Sequence, residues 1–468
     1  MELDRLDKNT TSEKLDEAIY DKYIKPTQRK RKPCVGTEFE LPVVNLSGEA
    51  VDFNIVHAVT DEFVLHFAFD RLSRDEDGFI YAAESSQTGD ILSYDCSYNT
   101  LELSFGTKDD IHEVDRLFRQ YYTFLQSLLG QYGHTLTGMG VNPHYAVNRS
   151  EPIHNGRYRM LLHHLKSYDK YGDAIPFHHN PNFGLFSCAA QVQLDVEEAA
   201  LPEVFNTFTK LEPLKSVLFA NSLWGSNHEL LCGRDRFWKN SLHGLNRHNV
   251  DMYDVSFSSS DDVLSYIKSM SIYCVERGEK YINFHPTLLD DYFSADSVEG
   301  EYFAEGGYRP IRFEPSIEDL KYLRSFKFED LTYRGTVEFR SVCTQPVRDL
   351  MSVAAFHTGL MENLPALSGL LDSDTVLYHK GYNPTELREC LNRRSFPSFL
   401  KKSEISSLLT DVLDIASEGL HRRSLGEESY LSPLYERAKT LLSPARKMAE
   451  GLENGKSTEY FIRDYAEL

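Results

Sequence analysis

The sequence predicts a mixed body of helices and strands followed by a helical C-terminal part. Three observations carry that reading. Segments with period-two alternation, rich in β-branched and aromatic residues, recur as VGTEFELPVV, YNTLELSF, SCAAQVQLDV and GTVEFRSV; this is the pattern of strands with one face on a core. Helical stretches lie between them, notably IHEVDRLFRQYYTFLQSLLGQYG and ALPEVFNTFTKLEPLKSVLFANSLW. From about Asn383 onward no strand candidate of quality appears. No repeat emerges at a solenoid period.

Along the chain, residues 1–32 read as a polar, partly helical extension. It ends in Arg29, Lys30, Arg31 and Lys32, a run better explained as a solvated basic turn than as a nuclear signal. Residues 33–370 form the expected body, and residues 371–468 the helical part packed on it. Residues 285–315 are rich in Gly, Pro, Asp and aromatics and predict a long ordered loop or lid.

The chain has 468 residues, 41% hydrophobic and 26% charged. These are ordinary globular values, which exclude a disordered or collagenous protein. With 50 basic and 71 acidic residues the net charge is −21. Such a surface repels phosphate backbones and anionic lipid, so neither nucleic acid nor membrane is an expected partner. Small anionic substrates held by a few local arginines or metal ions remain compatible with it; the oligomeric state is open. No apolar run approaches a membrane span, and the first residues show no signal-peptide core. The seven cysteines are scattered and never form a CxxC pair. They point to a reducing, cytoplasmic compartment, and against a disulfide framework or a thiolate zinc site. His163-His164 and His178-His179 diverge on any regular element and are expected to be surface or loop residues, not zinc ligands.

The chemistry-bearing residues sit on the strands. In Glu38-Phe39-Glu40 the two carboxylates share one face and Phe39 takes the other. Glu338 and Arg340 share a face, as do the polar residues of Gln191-Val192-Gln193-Leu194-Asp195. Glu102 stands in Thr100-Leu101-Glu102-Leu103-Ser104. Asp95, seven residues earlier, belongs to a preceding turn from which it can bend back toward Glu102. Each alone is an ordinary wet strand face or a weak surface ion pair. Four such faces together are better explained by a shared polar interior. Converging carboxylates repel unless cations lie between them, and hard oxygen ligands suit Mg²⁺ or Mn²⁺. Carboxylate-held metal with a neighbouring arginine is what phosphoryl transfer requires. No P-loop, kinase signature or GxGxxG after a strand is present, so metals and arginines would have to hold ATP.

In order along the chain, Gly36–Glu40, Leu101–Ser104, Gly138–Pro143, Gly156–Tyr158, Cys188–Asp195, Leu218–Ser222, Arg234–Trp238 and Val337–Arg340 resemble the glutamate–cysteine ligases of plants and many proteobacteria. Gly419–Arg423 and Ser443–Lys447 extend the likeness, which spans about residues 34–450. The resemblance implies an α+β fold, a curved, mostly antiparallel sheet forming a funnel with helices outside, shared with glutamine synthetase. It implies Glu40, Asp95 and Glu102 as ligands of a substrate-side Mg²⁺, and Glu38, Gln191 and Glu338 as ligands of an ATP-side Mg²⁺. It puts Arg340 on the transferring phosphoryl group, Arg234 on the glutamate α-carboxylate, and Arg157 on phosphate or substrate. The implied reaction is ATP-dependent joining of L-glutamate to L-cysteine through γ-glutamyl phosphate, the first step of glutathione biosynthesis. The chain departs from the family at the charged pair Asp235-Arg236 and at Cys343-Thr344, which leaves open a related ligase acting on another amine. An inactive relative serving as a binding or scaffold protein is the reading from another class.

Overall fold

A computed structural model describes residues 13–225 and 228–468. Its centre is a nine-stranded sheet. Strands β1 (Val35–Asn45), β2 (Arg71–Arg74), β3 (Ile80–Glu84), β4 (Ile91–Tyr94), β5 (Thr100–Lys108), β6 (His134–Leu136) and β7 (Ala190–Asp195) belong to it. Strands β8 (Val250–Asp251), β9 (Ser271–Arg277), β10 (Lys280–Leu288), β11 (Val298–Ala304), β12 (Gly307–Phe313) and β13 (Phe326–Lys327) do not; β14 (Glu329–Leu331) and β15 (Thr336–Phe339) complete it. The order is β14-β15-β7-β1-β5-β4-β3-β2, with β6 on the far end of β1, and every pairing in it is antiparallel. The four strands predicted from alternation are β1, β5, β7 and β15, and they are contiguous at the sheet centre. This mixed, antiparallel-sheet architecture matches the predicted fold class.

The alternation sorts the two faces. Val35, Phe39, Leu41, Leu101, Leu103, Val192, Leu194, Val337 and Phe339 are buried in the main core. Helices α1 (Phe53–Phe67), α2 (Ile111–Gln131), α3 (Gly156–Lys166), α4 (Leu201–Phe219), α5 (Gly233–Lys239), α6 (Met351–Glu362), α7 (Leu364–Asp372), α8 (Pro384–Leu391), α9 (Lys402–Arg423), α10 (Ser432–Thr440), α11 (Pro444–Glu453) and α12 (Thr458–Ala466) pack outside. Phe118 of α2 meets Phe39 edge to face at 5.6 Å, and Phe208 of α4 lies 4.5 Å from Phe339. These helices cover the apolar face and leave the opposite face, which carries the carboxylates, beside a cavity. Asp110 caps α2 by accepting the Glu113 N–H, and Asn155 caps α3 by accepting the Tyr158 N–H, as short polar side chains do at helix starts.

The N-terminal extension is docked: Leu15, Ile19 and Ile24 are at most 1% exposed. Of the basic run, Arg29 pairs with Asp195 and Arg31 with Glu362. The stretch expected to be a loop or lid at 285–315 is instead largely β-structure. It contains the end of β10, a helical turn Leu289–Phe293 and the hairpin β11–β12. Gly306 (φ +76°) serves the hairpin turn, while the residues around it alternate. Two of the four paired histidines are also not at the surface. His164 stacks on Tyr273 at 3.8 Å and His178 bonds the Phe237 carbonyl; both are buried. Among the described residues no helix is long and apolar enough to cross a membrane.

Candidate active site

The central strands bring the predicted carboxylates together across neighbouring strands of the sheet. Glu40 of β1 lies directly opposite Glu102 of β5. Glu38 lies opposite Ser104 on one side and Gln191 of β7 on the other. Glu338 of β15 stands between Gln193 of β7 and Asp330 of β14. Asp95 follows β4 in a bend where Cys96 takes a left-handed φ of +61°, which turns its carboxylate back toward Glu40 and Glu102.

Like charges placed directly opposite destabilise a sheet, and the proton affinities record the repulsion. Burial, then Asp95 and Glu102, pushes the Glu40 carboxyl up to about 8. Burial, then Asp95, pushes Glu102 up to about 7. Burial, then Glu338 and Glu102, holds Glu38 well above the usual carboxylate range. Burial also raises Asp95, against the pull of Arg157. Four carboxyls that resist ionisation, three on adjacent strands and one in the bend beside them, are a functional-site signature.

Hydrogen bonds divide the polar residues into two groups. Glu40 accepts the Ala189 N–H at 2.6 Å and the Gln191 amide at 2.9 Å. Gln193 donates to Glu38 at 2.9 Å and to Glu338 at 3.1 Å. The resemblance groups Gln191 with Glu38 and Glu338. The side-chain bonds connect Gln191 to Glu40 instead and put Gln193 between the other two. Each glutamine reaches diagonally across the strand pair, which the spacing of antiparallel neighbours permits. The Gln191 carbonyl oxygen is buried and has no partner among the described residues.

A cavity of about 220 Å³ opens beside this face. Glu40, Asp95, Gln191, Arg157, Arg234 and Arg340 all line it; Glu38, Glu102 and Glu338 do not. Arg340 is 31% exposed and contacts Glu338 at 3.4 Å and Asp330 at 3.7 Å. Although burial works against its charge, Glu338 and Asp330 hold the guanidinium firmly protonated. Arg234, in the first turn of α5, bonds the Ser341 carbonyl at 3.4 Å, and its Nε is buried without a partner. Arg157, at the start of α3, has no ion-pair partner among the described residues and lies over the Tyr158 ring. Trp238 stacks on Phe326 at 4.8 Å on the cavity wall.

Beneath the wall a buried charge network fixes the supports. Glu212 and Lys215 of α4 pair with each other, Arg388 of α8 reaches Glu212 at 2.5 Å and Asp235 of α5 at 2.7 Å, and Ser341 donates to Glu212 at 2.9 Å. The residues flanking Arg234 and Arg340 are thereby tied to two helices.

Sequence reasoning placed Gln193 on the polar face without giving it a site role, and missed Asp330, Arg324 and Lys327. Gln193 was legible in principle, because it shares the face of Gln191. Arg324 and Lys327 line the cavity from an irregular segment and a two-residue strand, where no periodicity marks them. Among the described residues, no three His, Cys, Asp or Glu side chains form a ready metal-ligand cluster. The hard oxygen donors, their resistance to ionisation and the orphaned Gln191 oxygen nevertheless suit a divalent cation of the Mg²⁺ type.

The model of glutamate-cysteine ligase family 2 matches residues 34–467. The chloroplastic glutamate–cysteine ligases of Solanum lycopersicum and Arabidopsis thaliana are each 24% identical over 364 residues, 76% of this chain. The chain spans 64% of the length of each. A bifunctional glutathione synthetase from Pasteurella multocida superposes with a TM-score of 0.51 at 12% identity, over 92% of this chain and 51% of that one, and shares the fold. With a match that runs from the strand carrying Glu38 and Glu40 to the last helix, the chain belongs to glutamate-cysteine ligase family 2.

Proposed function

We propose that this protein joins the γ-carboxylate of L-glutamate to the amine of L-cysteine with ATP as co-substrate, through enzyme-bound γ-glutamyl phosphate, the reaction that opens glutathione synthesis. The observation that carries the reading is the meeting, on one cavity, of the Glu40 and Asp95 carboxyls, which resist ionisation, with Arg340 and with Arg157 and Arg234, which have no ion-pair partner among the described residues.

Glu40, Asp95 and Glu102 would hold one divalent cation, with the Gln191 oxygen available beside them. Glu38 and Glu338 would hold a second, with Gln193 in place of Gln191 as their bridging neighbour. Such cations, when bound, draw negative charge off phosphoryl oxygens and screen the carboxylates from one another. Arg340 donates toward the phosphoryl group as the γ-carboxylate takes it, offsetting charge that develops in transfer. Arg234 holds a substrate carboxylate through a guanidinium fork whose Nε has no other partner. Arg157 offers a second cationic contact from the helix start. Burial of the cavity wall excludes water, and so protects an acyl phosphate from hydrolysis until the amine attacks its carbon. No covalent enzyme nucleophile is required, and all seven cysteines are free. Scattered free thiols also support a reducing, cytoplasmic setting.

Incubation with ATP, glutamate and a panel of amines, with products identified by mass, tests the substrate assignment. Cysteine is expected to give the dominant γ-glutamyl product. Preference for another amine would keep the ligase and overturn the substrate.

A further inference from the structure

Gln193 holds the two carboxylates Glu38 and Glu338 from one end of its amide only. Its Nε2 donates to Glu38 at 2.9 Å and to Glu338 at 3.1 Å, which uses both N–H groups. The Oε1 at the other end accepts from Nη1 of Arg334 at 3.1 Å. A primary amide is flat, with its donors on one side and its acceptor on the other, so the three bonds agree on one orientation. The Thr336 hydroxyl lies 3.5 Å from the same oxygen, at the outer limit of a hydrogen bond. Arg334 is therefore the close partner that keeps this oxygen turned away from the carboxylates.

The turn that carries Arg334 is itself well held. It joins β14 to β15, so the same hairpin carries Asp330, Glu338 and Arg340. Its neck is closed by the Thr332 N–H on the Thr336 carbonyl at 2.9 Å and by a 2.7 Å bond between the two hydroxyls. The Arg334 N–H donates to the Thr332 hydroxyl oxygen at 3.2 Å, and its guanidinium lies over the Tyr333 ring at 5.0 Å. From outside, Arg29 donates to the Arg334 carbonyl at 2.8 Å while pairing with Asp195 of β7 at 3.0 Å. Arg29 precedes residue 34, where the match to the family begins. A line of contacts thus runs from the N-terminal segment through an exposed arginine to the two carboxylates.

An exposed guanidinium in this place can act in two opposite ways. As a bare charge it repels a divalent cation held by Glu38 and Glu338, and its removal tightens that ion. As the partner of the Gln193 oxygen it keeps a neutral donor on both carboxylates, and its removal loosens the ion. Groups one step behind metal ligands are worth about 10–100-fold in metal affinity, whereas salt screens an exposed charge. The second effect is the larger. Given the second divalent cation proposed above, we infer that Arg334 is a positioning residue for it. By holding the Gln193 oxygen, Arg334 presents the amide N–H groups to Glu38 and Glu338 and sets those carboxylates for the ion, while Arg29 steadies the turn from the N-terminal segment.

The test is titration of the full chain with Mn²⁺ alone, followed by the electron paramagnetic resonance signal of the free ion. Mn²⁺ takes the hard oxygen ligands that suit Mg²⁺, and without nucleotide no phosphate contact of Arg334 enters the readout. The wild-type chain is expected to bind two ions. Arg334→Ala is expected to weaken one of them about tenfold and to keep a wild-type melting temperature, because the side chain is exposed. Gln193→Ala should weaken the same ion, and the double variant should be no weaker than Gln193→Ala, since both substitutions act through one amide. Unchanged or tighter Mn²⁺ binding in Arg334→Ala would overturn the inference and leave the two-cation reading standing. A double variant weaker than Gln193→Ala by the full Arg334→Ala factor would also overturn it, by making Arg334 independent of the amide. A wild-type chain that binds no second Mn²⁺ would overturn the two-cation reading and the role of Arg334 together.

Discussion

Glu40 stands closest to both sides of the proposed chemistry. It faces Glu102 across the sheet, lines the cavity, and has its carboxyl pushed up to about 8 by burial and by Asp95 and Glu102. Glu40→Gln is therefore expected to lower turnover by more than roughly 100-fold, since loss even of an indirect metal partner costs 10–100-fold. Its melting temperature without divalent cation should stay level or rise, because glutamine is a neutral near-isostere of a buried carboxyl whose ionisation is already opposed. Thermal melts with and without Mg²⁺ check this: Mg²⁺ should raise the wild-type midpoint and leave the variant's almost unmoved. Arg340 makes a different prediction. Arg340→Ala should reduce kcat by about 10²–10³ with little change in ATP affinity, as loss of a donor aimed at developing charge does. Arg340→Lys should restore only part of the rate, because the planar fork is lost. A wild-type kcat in the alanine variant would reduce Arg340 to an ion pair with Glu338 and Asp330. The two glutamines separate by metal titration. Gln193→Ala should weaken the cation that depends on Glu38 and Glu338, and Gln191→Ala the one that depends on Glu40. Identical titration curves for the two variants would contradict that division.

At the scale of elements, two devices hold the site in place. The turn between β14 and β15 passes through Gly335 at φ +77°, where a Cβ would stand 2.5 Å from the Pro26 carbonyl oxygen. Gly335→Ala should destabilise the fold by more than about 1 kcal/mol through the left-handed φ alone, measured by denaturant unfolding. The buried network around Glu212 is the second. Burial raises this carboxyl, but Lys215 and Arg388 outweigh it and hold it at about 2, below the usual 4.5. A carboxyl depressed on folding stabilises the native state above its unfolded value and loses that contribution as pH falls through the folded one. Acid unfolding should therefore steepen between about pH 4.5 and 2. Arg388→Met, which leaves Glu212 with Lys215 as its one cation and takes the guanidinium from Asp235, should cost about 3–5 kcal/mol near neutral pH and flatten that acid limb. A wild-type acid limb in the variant would show that the network does not govern it. Elements also mark where the sequence was readable. Strands β1, β5, β7 and β15 carried strict alternation, and so their faces could be assigned. The β11–β12 hairpin was masked by glycines and prolines that suggested a loop. Strand β13 is two residues long, too short to show any period.

For the whole molecule, local pattern marked which residues share a strand face, but not which strands are neighbours. That Glu40 meets Glu102, and that Gln193 bridges Glu38 and Glu338, depends on strand order and register, which arise from contacts far apart in sequence. Arginines reach the cavity from a helix start at 157, a short helix at 234 and the end of a strand at 340, and only the resemblance singled out all three. The central claim is that the carboxylate face and its arginines perform ATP-dependent ligation of glutamate to cysteine. It is tested most directly by measuring ADP release and γ-glutamylcysteine formation together, by coupled assay and mass detection, with glutamate and cysteine each omitted in turn. Product is expected only when ATP, divalent cation, glutamate and cysteine are all present, with one ADP per product formed. ADP release that does not depend on glutamate, or product formed without ATP, would contradict it.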